Sequence, residues 1–325
     1  MTSKDVNSAQ AAEETGRSIR VYLDHNIVDD LAKGRLSFKS SPQVLWVYSD
    51  EHFREIKRSG STRFLDALAR LKAQRLELET EQFRITGRMR LTEYPDPHAL
   101  YEAWSKANAD TELSDDHFLG ILSRLFGAAN ADQLKAMPEV LEREISTLLG
   151  AAGLADALRD KIAEVARDTM QDTISLLTAE DHQHQVLRET LGTHRGRASN
   201  VAKRNNPLQD LWATVSPSMP GVTADQFFGF EPIAKGGDVD LPLFLGMVGC
   251  YMVLNMIGFS PDEKLARIER MPAIASDANH VAYGAYCDAV LSADRRLCTK
   301  ARAIYKYRNI STEVYRLDRT PLATE

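Results

Sequence analysis

The chain changes texture twice along its length, and this constrains its fold more than any single motif does. Short β-branched and aromatic runs lie near both ends, separated by a long stretch of helical periodicity. IRVYL at 19–23 and VLWVY at 44–48 are buried-strand signals, and RLELE and FRIT before Gly87 are two shorter ones. AVLS at 289–292 and EVYRL at 313–317 resume the pattern. Between them, Pro95-Asp96-Pro97 breaks the texture. The stretches 98–108, 115–128, 131–150 and 154–178 then carry Leu, Ala and Ile at i, i+3 and i+4. A Rossmann-like α/β fold, its parallel sheet built from both terminal segments around a large all-α insertion, accounts for that order. The expected organisation is a disordered tail over 1–18, an α/β domain from 19–93 and 237–325, and a helical insertion over 94–236.

Composition narrows the function classes. With 43% apolar and 26% charged residues, the 325-residue chain has ordinary globular make-up and enough material for a buried core. A formal net charge of -6 excludes a general polyanion binder, so nucleic acid would have to be held by local basic patches. The three cysteines, Cys250, Cys287 and Cys298, form no CxxC pair, which argues against a disulfide scaffold or zinc ribbon and for a reducing cytoplasm. The opening MTSKDVNSAQAAEETGRS lacks the apolar core of a signal peptide. Residues 241–259 carry no charge, but Pro242, three glycines and Asn255 interrupt them and acids lie on both sides. That stretch is expected to be a buried helix packed against the sheet, with no membrane partner.

Four acids fall where such a sheet brings chain segments together. Asp24 ends the first strand, and Glu55 lies one turn into the helix that Ser49 or Asp50 caps. Asp277 opens a C-terminal helix, and Asp294 follows AVLS. The carboxyl ends of parallel strands share one edge, where sites form. Converging carboxylates need a cation, and oxygen-only ligands suit Mg²⁺ or Mn²⁺. Such ions activate water and stabilise the leaving oxygen of a phosphodiester. Taken singly, each acid reads more readily as a cap or a surface charge than as a ligand; their ordered placement carries the reading.

VYLDHNIVDDLAKG, VLWVYSDEHFREIKRSG and SDANHVAYGAYCDAVLSADRRL together resemble the PIN-domain nucleases, a fold used by many toxin ribonucleases. The resemblance covers about 19–90 and 240–320. It implies that Asp24 is the first metal-binding acid with Asn26 its helper, and that Ser49 precedes the second acid, Glu55. Asp277 matches the helix-opening acid, and Ser292-Ala293-Asp294 matches the Thr/Ser-x-Asp after the strand. It also implies 5′-phosphate and 3′-hydroxyl products, with a toxin or defence effector as one role. The sequence departs from the small toxin members in the stretch 94–236, which has no counterpart there. Glu51 or Asp50 could replace Glu55, and Asp288 could share the role of Asp294 or cap the strand start.

Three further groups complete the candidate site. His280, one turn after Asp277, either borders the acids or is a satisfied helix residue, whereas His25, beside Asp24, alternates to the other face of a strand. The His182-x-His184 pair falls in a helix or loop, where a metal role is disfavoured. Two basic stretches, Arg195, Arg197, Lys203 and Arg204, and Arg295, Arg296 and Lys300 on the helix after Asp294, could hold RNA phosphates or form solvated faces. The expected protein is therefore a cytoplasmic metal-dependent ribonuclease. RNA is its substrate, with an inhibitor or regulatory protein and a homo-oligomer left open. The alternatives are a PIN-like scaffold that has lost its metal and a phosphatase of another Rossmann-like family. The latter is disfavoured because Asp24-His25-Asn26 lacks the second aspartate of Asp-x-Asp.

Overall fold

The computed structural model describes residues 18–39, 41–81, 84–92, 96–108, 126, 132–178, 183–193, 197–232, 241–265 and 267–318. The expected tail at 1–18 and helix at 115–128 lie almost wholly outside these residues. Among the described residues six strands form one mostly parallel sheet: β1 (Ile19–Leu23), β2 (Val44–Ser49), β3 (Gln74–Glu81), β4 (Arg84–Thr92), β5 (Ala289–Ser292) and β6 (Glu313–Arg316). Their spatial order is β4-β3-β2-β1-β5-β6, and only the β3–β4 pair is antiparallel. β1 is central, with Tyr22 opposite Val47 on one side and Val290 on the other. From β1 the chain winds through β2 to β3 in one direction. It returns as β5 on the other flank and continues to β6, so the winding reverses between β1 and β5.

The connections are helical: α1 (His25–Ala32) follows β1, and α2 (Asp50–Ser59) and α3 (Arg63–Arg70) follow β2. Ser49 caps α2 by accepting from the Glu51 amide, while His52 at the third helical position bonds back to the Ser49 amide, a capping box with histidine in place of Glu or Gln. Gly60 ends α2 at φ 66°, the left-handed conformation a glycine adopts freely. α4 (Pro97–Ala107) starts at the Asp96 cap and lays Tyr101 and Trp104 against Phe53. The core on this flank joins Leu23, Ile27, Val28, Tyr48, Phe53, Ile56, Leu65 and Leu68.

The described residues continue as α5 (Asp132–Lys135), α6 (Met137–Ala151), α7 (Asp156–Thr178), α8 (Gln183–Thr190), α9 (Arg197–Val201), α10 (Pro207–Val215), α11 (Ala224–Phe227), α12 (Leu243–Met256) and α13 (Met271–Gly284). α14 (Arg295–Tyr307) joins β5 to β6. No strand occurs between 97 and 232 among the described residues. The compact units do not follow the boundaries expected from sequence. One unit takes Met1–Ala109, Val201–Val253 and Ser276–Glu325; the other takes Asp110–Asn200 and Leu254–Ala275. The physical reason lies in the apolar faces. α4 packs on Phe53, and the Phe228 and Phe230 rings pack on Tyr307 of α14, so both belong with the sheet.

The uncharged stretch forms α12, with Phe244, Met247, Cys250, Tyr251 and Leu254 buried. Phe244 meets Tyr283 of α13 edge-on, the Lys300 ammonium of α14 sits 4.0 Å from the Tyr251 ring centre, and Gly246 and Gly249 lie against Phe230 and Gly229. Among the described residues, no helix is long and apolar enough to cross a membrane.

α13 begins six residues before Asp277, which corrects the expectation that Asp277 opens it. Met271, Ile274, Ala278 and Val281 extend the buried face upstream, and Pro272 suits a first turn, where no amide partner is needed. At the other end Gly284 lies against β5. A Cβ there would collide with Val290 and with the Tyr305 hydroxyl, so only glycine lets the helix come this close.

Candidate active site

The site forms where the winding reverses, at the carboxyl ends of β1 and β5, which is where open α/β sheets place their ligands. Asp24 follows β1 and is buried, its amide bonded to Leu291 O of β5 at 3.0 Å. Ser292 Oγ donates to Asp24 Oδ2 at 2.5 Å and accepts from the Asp294 amide at 2.9 Å. Asn26 bonds Asp24 Oδ2 and Ser292 Oγ, and its own Oδ1 accepts from the Ala293 amide. Asn26 thus lies inside α1, which begins after Asp24, and ties the two strand ends together. Asp294 caps α14 with Oδ1, accepting from the Arg296 and Leu297 amides.

The second part of the site comes from α2 and α13. His280 is fully buried, with Nε2 3.1 Å from Glu55 Oε2 and 3.9 Å from Asp24 Oδ1. Its Nδ1 is 2.8 Å from the Tyr22 hydroxyl, which is in turn 2.7 Å from Ser49 Oγ. His25 Nδ1 lies 3.0 Å from the same Glu55 oxygen. His25 therefore does not alternate to the far face. The strand stops at Leu23, and the first turn of α1 swings its ring toward Glu55. His52 packs its ring 4.8 Å from that of His280 and reaches Leu23 O through Nε2.

Electrostatics follow from this packing. Burial pushes the Asp24 carboxyl up; His280 and Ser292 oppose this, while the Glu55 and Asp294 charges reinforce it. Burial would also raise Glu55, but its contacts with His25 and His280 outweigh that and hold it well below the ordinary value. Burial would lower His280, yet Glu55 first, then Asp24 and Glu51, lift it to about 9. His52 is held well down by burial and by its two histidine neighbours. The cluster thus sets a cationic His280 between two acids.

Glu55 and Asp294, from two other segments of chain, both act on the Asp24 carboxyl. Asp277 stands one turn before His280 on α13, half-buried, and is not among the charges that act most on Asp24. Asp288 corrects to the opposite end of β5. It accepts from the Arg20 amide at 2.8 Å at the start of β1, so the length of the strand separates it from Asp24. Of the alternatives to Glu55, Asp50 pairs with Arg75, and Glu51 is buried against Arg54 and Asn279. Lys300 also corrects: it is fully buried over Tyr251 and cannot meet a phosphate, because its position on α14 faces the interior with Leu297 and Ile304. Arg295, Lys203 and Arg204 are exposed and Arg296 is half-buried; Arg195 and the Arg197 and His184 side chains lie outside the described residues, as does His182.

Tyr22, His25 and His52 were not read as site residues. His52 was signalled by its place three residues after the Ser49 cap, where a capping-box partner falls. Nothing local to Tyr22 or His25 marks them.

The donor chemistry, carboxylate oxygens at a strand-end edge, fits a hard divalent cation. As the side chains stand, no three His, Cys, Asp or Glu among the described residues converge around one point for an ion, because Glu55 rests on the histidines. No protein-family model, curated protein or solved structure matches the chain.

Proposed function

We propose that the chain is a PIN-like metal-dependent nuclease that hydrolyses RNA phosphodiesters. The reading is supported by one observation above others: Asp24 and Asp294 flank the point where the sheet's winding reverses, joined through Ser292, with Glu55 within electrostatic reach. Asp24, Asp294 and Glu55, with Asp277 one turn before His280 on α13, would hold Mg²⁺ or Mn²⁺. When bound, the ion supplies Lewis-acid charge at the phosphate and lowers the pKa of an attacking water. Ser292 and Asn26 orient Asp24 and keep one of its oxygens engaged, so the other faces His280 and the edge. Exposed Arg295 and half-buried Arg296 follow Asp294 directly and would meet the substrate's phosphates.

A second reading, a PIN-like scaffold without catalysis, is favoured by one observation: the contacts of His25 and His280 with Glu55 already offset its charge. One experiment separates the two. RNA cleavage and thermal melting are measured for the parent and for Asp24→Asn, with EDTA and with Mn²⁺. A nuclease should lose about a thousandfold or more of its activity with Asp24→Asn, because an ionic ligand of the metal is gone. Because burial already disfavours the Asp24 charge, the apo variant should melt at or above the parent near pH 7. If Asp24→Asn cleaves like the parent, the nuclease mechanism fails. If the parent neither cleaves RNA nor shifts its melting with Mn²⁺, the scaffold reading replaces it.

A further inference from the structure

We infer that two copies of the chain pair through the outer face of α7, antiparallel about a two-fold axis beside Ile162 and Val165. The pairing is independent of the reaction proposed above.

α7 meets α6 through one face. Arg167 reaches Glu142 across the hairpin, Arg159 lies against Gly150, and Ala163 and Ile174 are buried. A second face carries Leu158, Ile162 and Val165, which are 54%, 39% and 58% exposed, with exposed Thr169 following. Ile162 and the buried Ala163 are neighbours in sequence, so they point roughly 100° apart around the helix. The steps from Leu158 to Ile162, Val165 and Thr169 are four, three and four residues, the spacing of the seam between two paired helices, and Asp172 ends the run. Isolated apolar residues on a surface are ordinary, but three long ones aligned in a seam mark a contact face.

Charge identifies what covers it. In the heptad frame Lys161 and Asp168 occupy the same flanking position, one heptad apart and both exposed. In an antiparallel pair of identical helices, Ile162 packs on the partner's Val165 and Leu158 on the partner's Thr169. That register sets Lys161 beside the partner's Asp168, and the two-fold axis repeats the ion pair. A parallel pair would instead set Lys161 beside the partner's Ala166 and Asp168 beside its Thr173, with no attraction in either place. Asp168 also holds Arg167 of its own helix through Oδ1, and its side chain remains 60% exposed. An anionic lipid surface is a poorer match, because Asp160, Glu164, Asp168 and Asp172 give the exposed side of α7 an acidic excess where such a surface requires Lys and Arg.

The test is sedimentation equilibrium of the full chain between about 1 and 300 µM, the range that a contact of a few side chains calls for. The parent should pass from monomer to dimer with a Kd on the order of 10–100 µM. Joint replacement of Leu158→Gln and Val165→Gln should leave it monomeric throughout. Lys161→Glu and Asp168→Lys should each weaken pairing by about tenfold, because two attractions become two repulsions. The double reversal re-forms both ion pairs with the signs exchanged and should return to within about threefold of the parent. All four positions are exposed, and circular dichroism of dilute samples confirms that the variants fold. A parent that stays monomeric overturns the proposal; if it then co-sediments with vesicles of phosphatidylcholine and phosphatidylserine, the stripe is a lipid-binding face. A dimer indifferent to the two glutamines is built on another surface, which also overturns it. A dimer weakened by each single reversal and not restored by the double one overturns the antiparallel register.

Discussion

The sheet unit and the helical unit bury different things. Around β1 the sheet unit encloses Asp24, Ser49, Glu51, His52, His280 and Ser292, each engaged by a partner 27 to 268 residues away in sequence, the longest being the link between Ser292 and Asp24. In the helical unit α6 and α7 pack as a hairpin around one small buried cluster, Leu134, Met137 and Ile174, with Met170 against it, while Leu191, Leu254, Ile257 and Phe259 are buried elsewhere in that unit. Leu148 on α6 and Leu158 and Val165 on α7 remain 64%, 54% and 58% exposed, so this hairpin keeps part of its apolar surface in water. Burying charge is costly unless each group is paired, and around β1 the chain meets that cost by pairing the acids and histidines with one another.

The contrast can be broken most strongly at Gly284. It lets α13 lie on β5 and sits one turn after His280. Gly284→Ala should destabilise the protein by about 1–3 kcal/mol, because Val290 and the Tyr305 hydroxyl must move, and urea unfolding reads this directly. A variant as stable as the parent would mean that the helix is not held where the structure has it.

A smaller effect should appear with pH. His280 faces Glu55, Asp24 and Glu51, with His52 and Tyr22 also against it. Its folded pKa, about 9, is above the ordinary 6.5, so it binds its proton more tightly when folded. The resulting stability is complete below about pH 6.5 and is lost as pH rises through 9. Glu55, whose pKa is depressed, adds stability above the ordinary carboxylate range and loses it in acid. In EDTA, the melting temperature of the parent should therefore fall between pH 6.5 and 9, and that of His280→Gln should be flatter over the same window. Parallel profiles would show that His280 is not cationic in the fold.

The smallest effect should come from the helical unit. Leu158→Gln and Val165→Gln change exposed positions on α7 and, at protein concentrations below those at which copies pair, should stay within about 0.5 kcal/mol of the parent. A loss of several times that amount, measured by the same urea unfolding, would show that the chain itself covers this face.

Much of the sheet was readable from the chain because strand signals are local. Ile19–Leu23, Val44–Ser49, Ala289–Ser292 and Glu313–Arg316 fall on β-branched runs bounded by polar residues, and Gly60 and Asp294 mark helix ends with side chains suited to those places. The acids at Asp24, Glu55 and Asp294 were legible for the same reason, since a residue at a strand end or one turn into a helix is placed by local periodicity. Asp277 was misplaced because the upstream turn of α13, Met271-Pro272-Ala273, carries no strong helix signal of its own and is held by burial.

Which groups meet was decided by the tertiary structure. Strand order is a matter of long-range pairing, and the reversal between β1 and β5 is what brings Asp24 to Ser292 and places Asp288 at the far end. Lys300 belongs to a basic run in sequence, yet helix rotation puts it inside, over Tyr251. His25, Tyr22 and His280 carry no shared local signal. They become one network with Glu55 because three elements, separated by up to 258 residues between Tyr22 and His280, pack their polar atoms against each other where water is excluded. Local sequence determines which face and which end of an element a residue occupies, but the cost of leaving a buried polar group unpaired determines which residues come together there.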